Sequence, residues 1–128
     1  MMSREVVATL GLSSVLLGVR RVLRRFVRYE VAGGSMLPTL RAGDWLVADR
    51  RVYADNSPRP GHIVISRDPR DASRTIIKRV ASVGDDGRAF LEGDNPAESA
   101  DSRTFGPVSA AAILGRVRLR YWPNPRLF

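Results

Sequence analysis

From residue 26 onward the apolar side chains come in short runs broken by Pro, Gly, Asn and Asp, alternating at every second position in 26–32 and 113–122 and wholly apolar at 45–48 and 63–65. A period of two sends successive side chains to opposite faces of a strand, and it cannot build the single apolar stripe of a helix. The chain is therefore committed to sheet over most of its length. The runs are residues 26–32, 44–49, 62–66, 75–83, 88–92 and 113–122. Asp85-Asp86-Gly87 lies between the fourth and fifth and predicts a hairpin closed by an Asp-Gly turn. Residues 53–61 and 93–107 read as polar loops. In the last run Val117, Leu119 and Tyr121 fall on one side, with Arg116, Arg118 and Arg120 on the other. The expected fold is mainly β: a small antiparallel β-domain over residues 29–128, carrying one N-terminal helix within residues 1–28.

That front segment follows another period. Val15, Leu16, Val19, Val22, Leu23, Phe26 and Val27 recur at steps that place them on one helical face, with Arg20, Arg21, Arg24, Arg25 and Arg28 opposite. Upstream, residues 6–19 carry no charge. A bilayer span takes about 20 apolar residues, so this stretch is short for a crossing. A basic amphipathic helix with Phe and Leu opposite Arg fits a segment lying on a membrane surface, here residues 6–28. The plainer expectation is a stripe packed on its own domain. A cleaved signal peptide is not expected, because the arginines follow the apolar stretch and no small-residue cleavage site closes it.

The 128 residues give room for one domain. The absence of cysteine excludes disulfides, thiolate catalysis and cysteine-held metal. His62 is the one histidine, so a multi-histidine metal site is excluded too, and neither metal nor cofactor is expected. Of 21 basic residues, 20 are arginine and one is Lys78. A guanidinium stays charged in any protein environment, whereas an ammonium can lose its proton and act as a general base. Strand parity places Lys78 on the face of Ile76 and Val80, among apolar neighbours, where burial disfavours the charged amine. Ser35 lies upstream in a glycine-flanked turn, Gly33-Gly34-Ser35-Met36-Leu37-Pro38. The two glycines permit unusual backbone dihedrals and close approach, so amide N–H groups there can face a substrate carbonyl. A serine on a tight turn and one deprotonable lysine are sufficient for a hydrolase. A third segment, Gly93-Asp94-Asn95 followed by Ser99-Ala100-Asp101-Ser102-Arg103, reads as turn-forming residues in which Asp101 and Arg103 can pair and Ser99 can orient an amine.

Ser35-Met36-Leu37-Pro38-Thr39-Leu40 with Gly43-Asp44, Ile77-Lys78-Arg79-Val80, and Gly93-Asp94-Asn95 with Ser99-Ala100-Asp101-Ser102-Arg103 resemble, in order, three boxes of the type I signal peptidase family. The resemblance implies a serine endopeptidase with a Ser/Lys dyad, Ser35 as nucleophile and Lys78 as general base. It places the Ser35 amide in the oxyanion hole, beside Gly33 and Gly34, with Ser99 orienting the lysine and Asp101 with Arg103 as a supporting ion pair. Family substrates are precursor proteins that enter as extended strands, with small residues at the first and third positions before the cut. Some members carry a serine hydroxyl where this chain has Gly33, so backbone donors are expected to suffice here.

The chain is shorter than typical secretory signal peptidases and has no room for their second β-domain. In length, in Gly61-His62 and in Arg120-Tyr121-Trp122-Pro123 it is similar to a small branch of that family, the nickel-type superoxide dismutase maturation proteases, which act inside the cell on an N-terminal propeptide. The arginine cluster after the charge-free stretch favours the cytoplasmic side for the domain that follows. The expected activity is thus removal of such a propeptide by a membrane-associated enzyme with its catalytic domain in the cytoplasm. The alternative is a compact membrane-bound signal peptidase with its domain on the outer side. A further alternative is a non-enzymatic basic module that binds anionic lipid or nucleic acid through its arginines; with aromatic residues at 7%, nucleic acid is not expected. A histidine-based hydrolase using Ser35 and His62 is the remaining rival.

Overall fold

In the computed structural model the described residues are 15–22 and 24–128. Residues 6–14 of the charge-free stretch, and Leu23 of the apolar stripe, lie outside them. Helix α1 covers residues 15–22 and 24–25. The sheet starts directly after it at β1 (Phe26–Glu30), where alternation takes over from the helical period. No helix among the described residues is long and apolar enough to cross a membrane.

Six further strands follow: β2 (Trp45–Asp49), β3 (Ile63–Asp68), β4 (Asp71–Val83), β5 (Ala89–Glu92), β6 (Ile113–Trp122) and β7 (Arg126–Leu127). They form one antiparallel sheet in the order β1-β2-β6-β3-β4-β5, with β7 paired to β6. The Asp-Gly hairpin is present: Gly87 N–H donates to the Gly84 carbonyl at 2.9 Å, and Gly87 takes φ +80°. The second hairpin, β3 to β4, turns at residues 68–71 and was not visible as alternation, because residues 67–74 are almost all polar. The segment 93–107 is more ordered than a plain loop. It contains a 3-10 turn (Pro96–Glu98) and a short helix, α2 (Ser102–Phe105), capped by the Asp101 carboxylate accepting from Arg103 N–H.

The two faces of the sheet carry separate apolar clusters. One gathers Val31, Met36, Leu40, Leu46, Ile63, Ile65 and Val117. The other gathers Val64, Val80, Ala89, Leu91 and Val108. Burying Met36 and Leu40 anchors the turn that carries Ser35, since each large apolar side chain contributes about 1.5–3 kcal/mol when withdrawn from water. The base of that turn is closed by Val31 N–H to the Asp44 carbonyl at 2.8 Å and Gly43 N–H to the Val31 carbonyl at 2.9 Å. Helix α1 packs differently from the plainer expectation. Val15, Leu16, Leu17, Val19 and Val22 are each at least half exposed, so its apolar residues do not rest on the domain.

Candidate active site

Lys78 lies in the middle of β4, paired with Val64 of β3. It is buried, at 4% relative exposure, and Val80 on the same face is buried as well, as strand parity predicted. Its amine reaches Ser99 Oγ at 3.1 Å, which is its hydrogen bond among the described residues. Ser99 in turn donates to Asp101 Oδ2 at 2.5 Å. Because Asp101 is fully buried and ionised, it acts only as an acceptor, so the Ser99 proton points to it and the Ser99 lone pairs face the amine.

Asp101 is the most densely bonded group of the site. It accepts from Gly93 N–H at 2.8 Å, from Ser99, from Arg103 N–H at 3.1 Å, and from Arg103 Nε and Nη2 at 3.0 and 2.5 Å. Burial alone raises its pKa, but the hydrogen bonds from Arg103, Ser99 and the two amides outweigh burial and hold it well below the usual carboxylate range. For Lys78 burial is the largest effect and lowers the pKa; the Asp101 charge opposes it, and the charges of Arg70 and Arg103 add to the lowering. The net direction is downward, toward an uncharged amine able to accept a proton.

Ser35 is brought to this group through its backbone. Its carbonyl accepts Asn95 N–H at 2.9 Å, and the Gly34 carbonyl accepts Asn95 Nδ2 at 3.0 Å. Among the described residues, neither the Ser35 amide nor its hydroxyl is engaged in a hydrogen bond, which leaves both open to a substrate. The hydroxyl does not bond the Lys78 amine directly. Gly33 takes φ +78°, in the left-handed region that favours glycine, so a side chain there would be strained. Gly34 has a different constraint: a Cβ would meet Glu98 Oε2 at 2.0 Å.

A second ion pair ties the three segments together and was not foreseen. Arg79, on the opposite face of β4 from Lys78, grips Asp94 through Nε and Nη2 at 2.8 Å each, and its Nη1 donates to the Gly61 carbonyl at 2.8 Å. Thr39, in the serine turn, donates to Asp94 Oδ2 at 2.6 Å. The serine turn, the lysine strand and the segment after β5 are thus locked by one carboxylate. Strand parity offered the clue, since it turned Arg79 away from Lys78, but nothing in the spacing said which acid it would meet.

His62 takes no part in the arrangement. Its Nδ1 lies 2.8 Å from Tyr53 Oη and accepts Arg59 N–H at 3.3 Å, and it makes no hydrogen bond with Ser35. Among the described residues there is no cluster of His, Asp and Glu suited to a metal ion. What the site assembles is a buried amine of lowered pKa, a hydroxyl that orients it, and a serine on an open turn.

Comparison with known proteins accords with these features. The sequence profile of the family described as signal peptidase, peptidase S26, matches residues 3–86 and 85–122. The chain is 37% identical over 113 residues to the mitochondrial ATP-independent inner membrane protease subunit 1b of Arabidopsis thaliana, covering 71% of this chain and 67% of that protein. It is 36% identical over 111 residues to the mitochondrial inner membrane protease subunit 1 of Xenopus tropicalis, covering 72% and 66%. These relatives are therefore matched over about two thirds of their own length. Signal peptidase I of Leptolyngbya laminosa is 30% identical over 168 aligned positions, covering 96% of this chain and 81% of that enzyme. That alignment is longer than the 128 residues here, so parts of the relative stand opposite gaps, in keeping with the shorter domain. Profile and relatives agree: the chain belongs to the signal peptidase family, peptidase S26, and is a serine peptidase of that type.

Proposed function

We infer that the chain is a Ser/Lys endopeptidase that removes an N-terminal segment from a precursor protein. The observation that carries this is the buried Lys78 amine, held by Ser99 and lowered in pKa chiefly by burial. Ser35 Oγ attacks the scissile carbonyl carbon while Lys78 takes its proton. The oxyanion forms against the Ser35 amide and the backbone of Gly33 and Gly34. Collapse breaks the C–N bond, and Lys78 gives its proton to the leaving amine. Water, deprotonated by the same lysine, then hydrolyses the ester on Ser35. Asp101 and Arg103 position Ser99, and Ser99 positions the amine.

The catalytic unit is residues 29–128, and the N-terminal segment that includes α1 holds it at a membrane surface, although Phe26–Arg28 already belong to β1. Exposure of the α1 apolar residues supports the attachment. So do Phe26, Trp45, Tyr121 and Trp122, which border two adjoining open depressions that share Arg28 and Trp45; amphipathic aromatic rings favour the membrane–water boundary. The arginines that follow the charge-free stretch favour a cytoplasmic catalytic domain.

For the precursor, the propeptide of a nickel-type superoxide dismutase is favoured by the chain's length, Gly61-His62 and Arg120-Tyr121-Trp122-Pro123. A secretory signal cut after small residues, by an enzyme facing the outer side, is the second reading, favoured by the relatives named as inner membrane proteases and signal peptidase I. Wild type, Ser35→Ala, Lys78→Arg and His62→Ala are incubated with each precursor, and product masses are read. Cleavage of one precursor by wild type and His62→Ala alone is the expected result. Retained cleavage in Lys78→Arg with loss in His62→Ala would reassign the base. Salt-sensitive binding without cleavage of either precursor would favour a non-enzymatic basic module.

A further inference from the structure

Arg116 is set apart from the arginines that pair with a carboxylate. Arg25 pairs with Asp49, Arg70 with Asp68, Arg79 with Asp94, Arg103 with Asp101 and Arg120 with Asp44. The Arg116 guanidinium makes no hydrogen bond to any described residue, and its Nε is buried without a partner. The carboxylate opposite it on the β2–β6 ladder is Asp49. That group is already held by Arg25 Nε and Nη2 and by Arg51 N–H, so it is not free to answer Arg116.

Arg116 borders a cavity of about 190 Å³ with Tyr53, Asn56, Ser57, Arg59 and His62 on its walls, and no carboxylate among them. The wall is organised by its own hydrogen bonds. Both Tyr53 Oη and Arg59 N–H converge on His62 Nδ1, and His62 N–H donates to the Arg59 carbonyl at 3.1 Å. An Nδ1 that accepts from Arg59 leaves the ring proton of neutral His62 on Nε2, where it is a further donor. Burial is the largest effect lowering the His62 pKa, and the nearby charges of Arg116, Arg59 and Arg118 push the same way. The cavity therefore holds a surplus of donors and positive charge with no negative group to meet them.

We propose that this cavity is a binding site for a phosphate-class oxyanion, with the Arg116 and Arg59 guanidiniums as charge partners and the Ser57 hydroxyl and His62 Nε2–H as neutral donors. Guanidinium matches phosphate oxygens through its fork of N–H groups, which is why charge-assisted pairs of this kind are short and strong. The volume is below the roughly 300–1,000 Å³ of sites for drug-sized molecules, so the site takes a small anion or a head group rather than a whole cofactor. It is separate from the Lys78 cleft. Val64 pairs with Lys78 on one side and Arg116 on the other, which puts Arg116 two strands, or roughly 10 Å, from the lysine row. Nothing in this site depends on the peptidase chemistry.

Free inorganic phosphate and the phosphomonoester head group of an anionic lipid share the required chemistry, and the test distinguishes them. The full chain is titrated with inorganic phosphate at constant ionic strength, followed by calorimetry, and in parallel floated with phosphatidylcholine vesicles with or without phosphatidate. Arg116→Met and Arg59→Ala are expected to weaken saturable binding about tenfold or more, while Arg74→Ala, an exposed arginine on β4, leaves it unchanged. Arg59 is exposed on a loop, so its variant keeps the test decisive if Arg116→Met fails to fold. Saturation by phosphate with this dependence supports a site for the free ion. Dependence confined to phosphatidate vesicles supports a lipid head group. Binding of neither probe, or binding weakened equally by Arg74→Ala, would reduce the effect to net charge and overturn the proposal.

Discussion

Gly93 and Ser99 approach so closely that a Cβ on Gly93 would lie 2.2 Å from Ser99 Oγ and 2.6 Å from the Ser35 carbonyl oxygen. One missing side chain thus lets the serine turn and the lysine-orienting hydroxyl share the same space. Ser99 cannot swing away without cost, because Asp101 and Lys78 hold it on its other sides. Gly93→Ala is expected to displace Ser99 and with it the amine. A misplacement of the order of 1 Å costs roughly 100-fold in rate. The check is kcat on a peptide substrate beside a far-UV spectrum; near wild-type kcat in a folded variant would show that Ser99 is not what positions Lys78.

Lowering of the Lys78 pKa carries a stability signature. The ordinary value is 10.5, and burial brings it down in the fold. Between the folded and unfolded values the unfolded chain binds more protons, so stability rises with pH across that window and falls as pH drops through it. Lys78→Met should remove this rise, measured as the urea midpoint from about pH 8 to about pH 11. In wild type, activity should climb over the same lower limb as the free amine forms. The Arg70 charge lowers the Lys78 pKa, whereas Asp68, which Arg70 pairs, raises it. Arg70→Met is therefore expected to move the limb to higher pH, and Arg74→Met is the matched control. A limb that stays put, or moves down, would show that another group is titrating.

The carboxylate that joins Thr39 to Arg79 makes a prediction about coupling. Thr39→Val removes a hydrogen bond to a half-buried charge and should cost about 1–2 kcal/mol. Asp94→Asn should cost more, because Arg79 loses its charge partner and one of the two acceptor oxygens it grips. The double variant should fall well short of the sum, with an interaction energy of roughly 0.5–3 kcal/mol. Denaturant midpoints with unchanged slopes give these numbers directly. Strict additivity would mean that the serine turn and β4 are held independently.

Ser35, Lys78, Ser99, Asp101 and Arg103 were legible in the sequence for different reasons. A lone lysine among arginines, placed on an apolar strand face, announces itself through composition and parity. Ser35 stood out on its glycine-flanked turn, whereas Ser99, Asp101 and Arg103 read as turn formers until the three boxes were seen in order. Strand positions followed from the period of two where one face was apolar, as in β6, and from a short wholly apolar run in β3. The period failed at residues 67–74, which are almost all polar, the buried Asp68 included, so no apolar alternation survives. It also failed for Arg79, Asp94 and Thr39. Their contacts join positions 15 and 55 apart in sequence, and such pairings are set by sheet register and turn closure, which leave no local mark. Gly93 was quoted as part of a motif, but that its lack of a side chain matters is a fact about what sits opposite.

Helix α1 supplies the last prediction. Among the described residues, its apolar side chains are at least half exposed and belong to neither core cluster, so their replacement should leave the stability of the β-domain unchanged. At a membrane the same side chains each contribute about 1.5–3 kcal/mol when buried. Leu16→Gln combined with Val19→Gln should therefore weaken partition into vesicles by on the order of 100-fold or more. Arg20, Arg21 and Arg24 add an attraction of about 1 kcal/mol each to anionic lipid, and that part should fade with salt. Flotation with neutral and with anionic vesicles, at low and high salt, separates the two contributions. Cleavage of a short soluble peptide should be the same in the double variant and in wild type, because α1 contributes no group to the Lys78 site. A fall in melting temperature with unchanged vesicle binding would show instead that the stripe packs on its own domain.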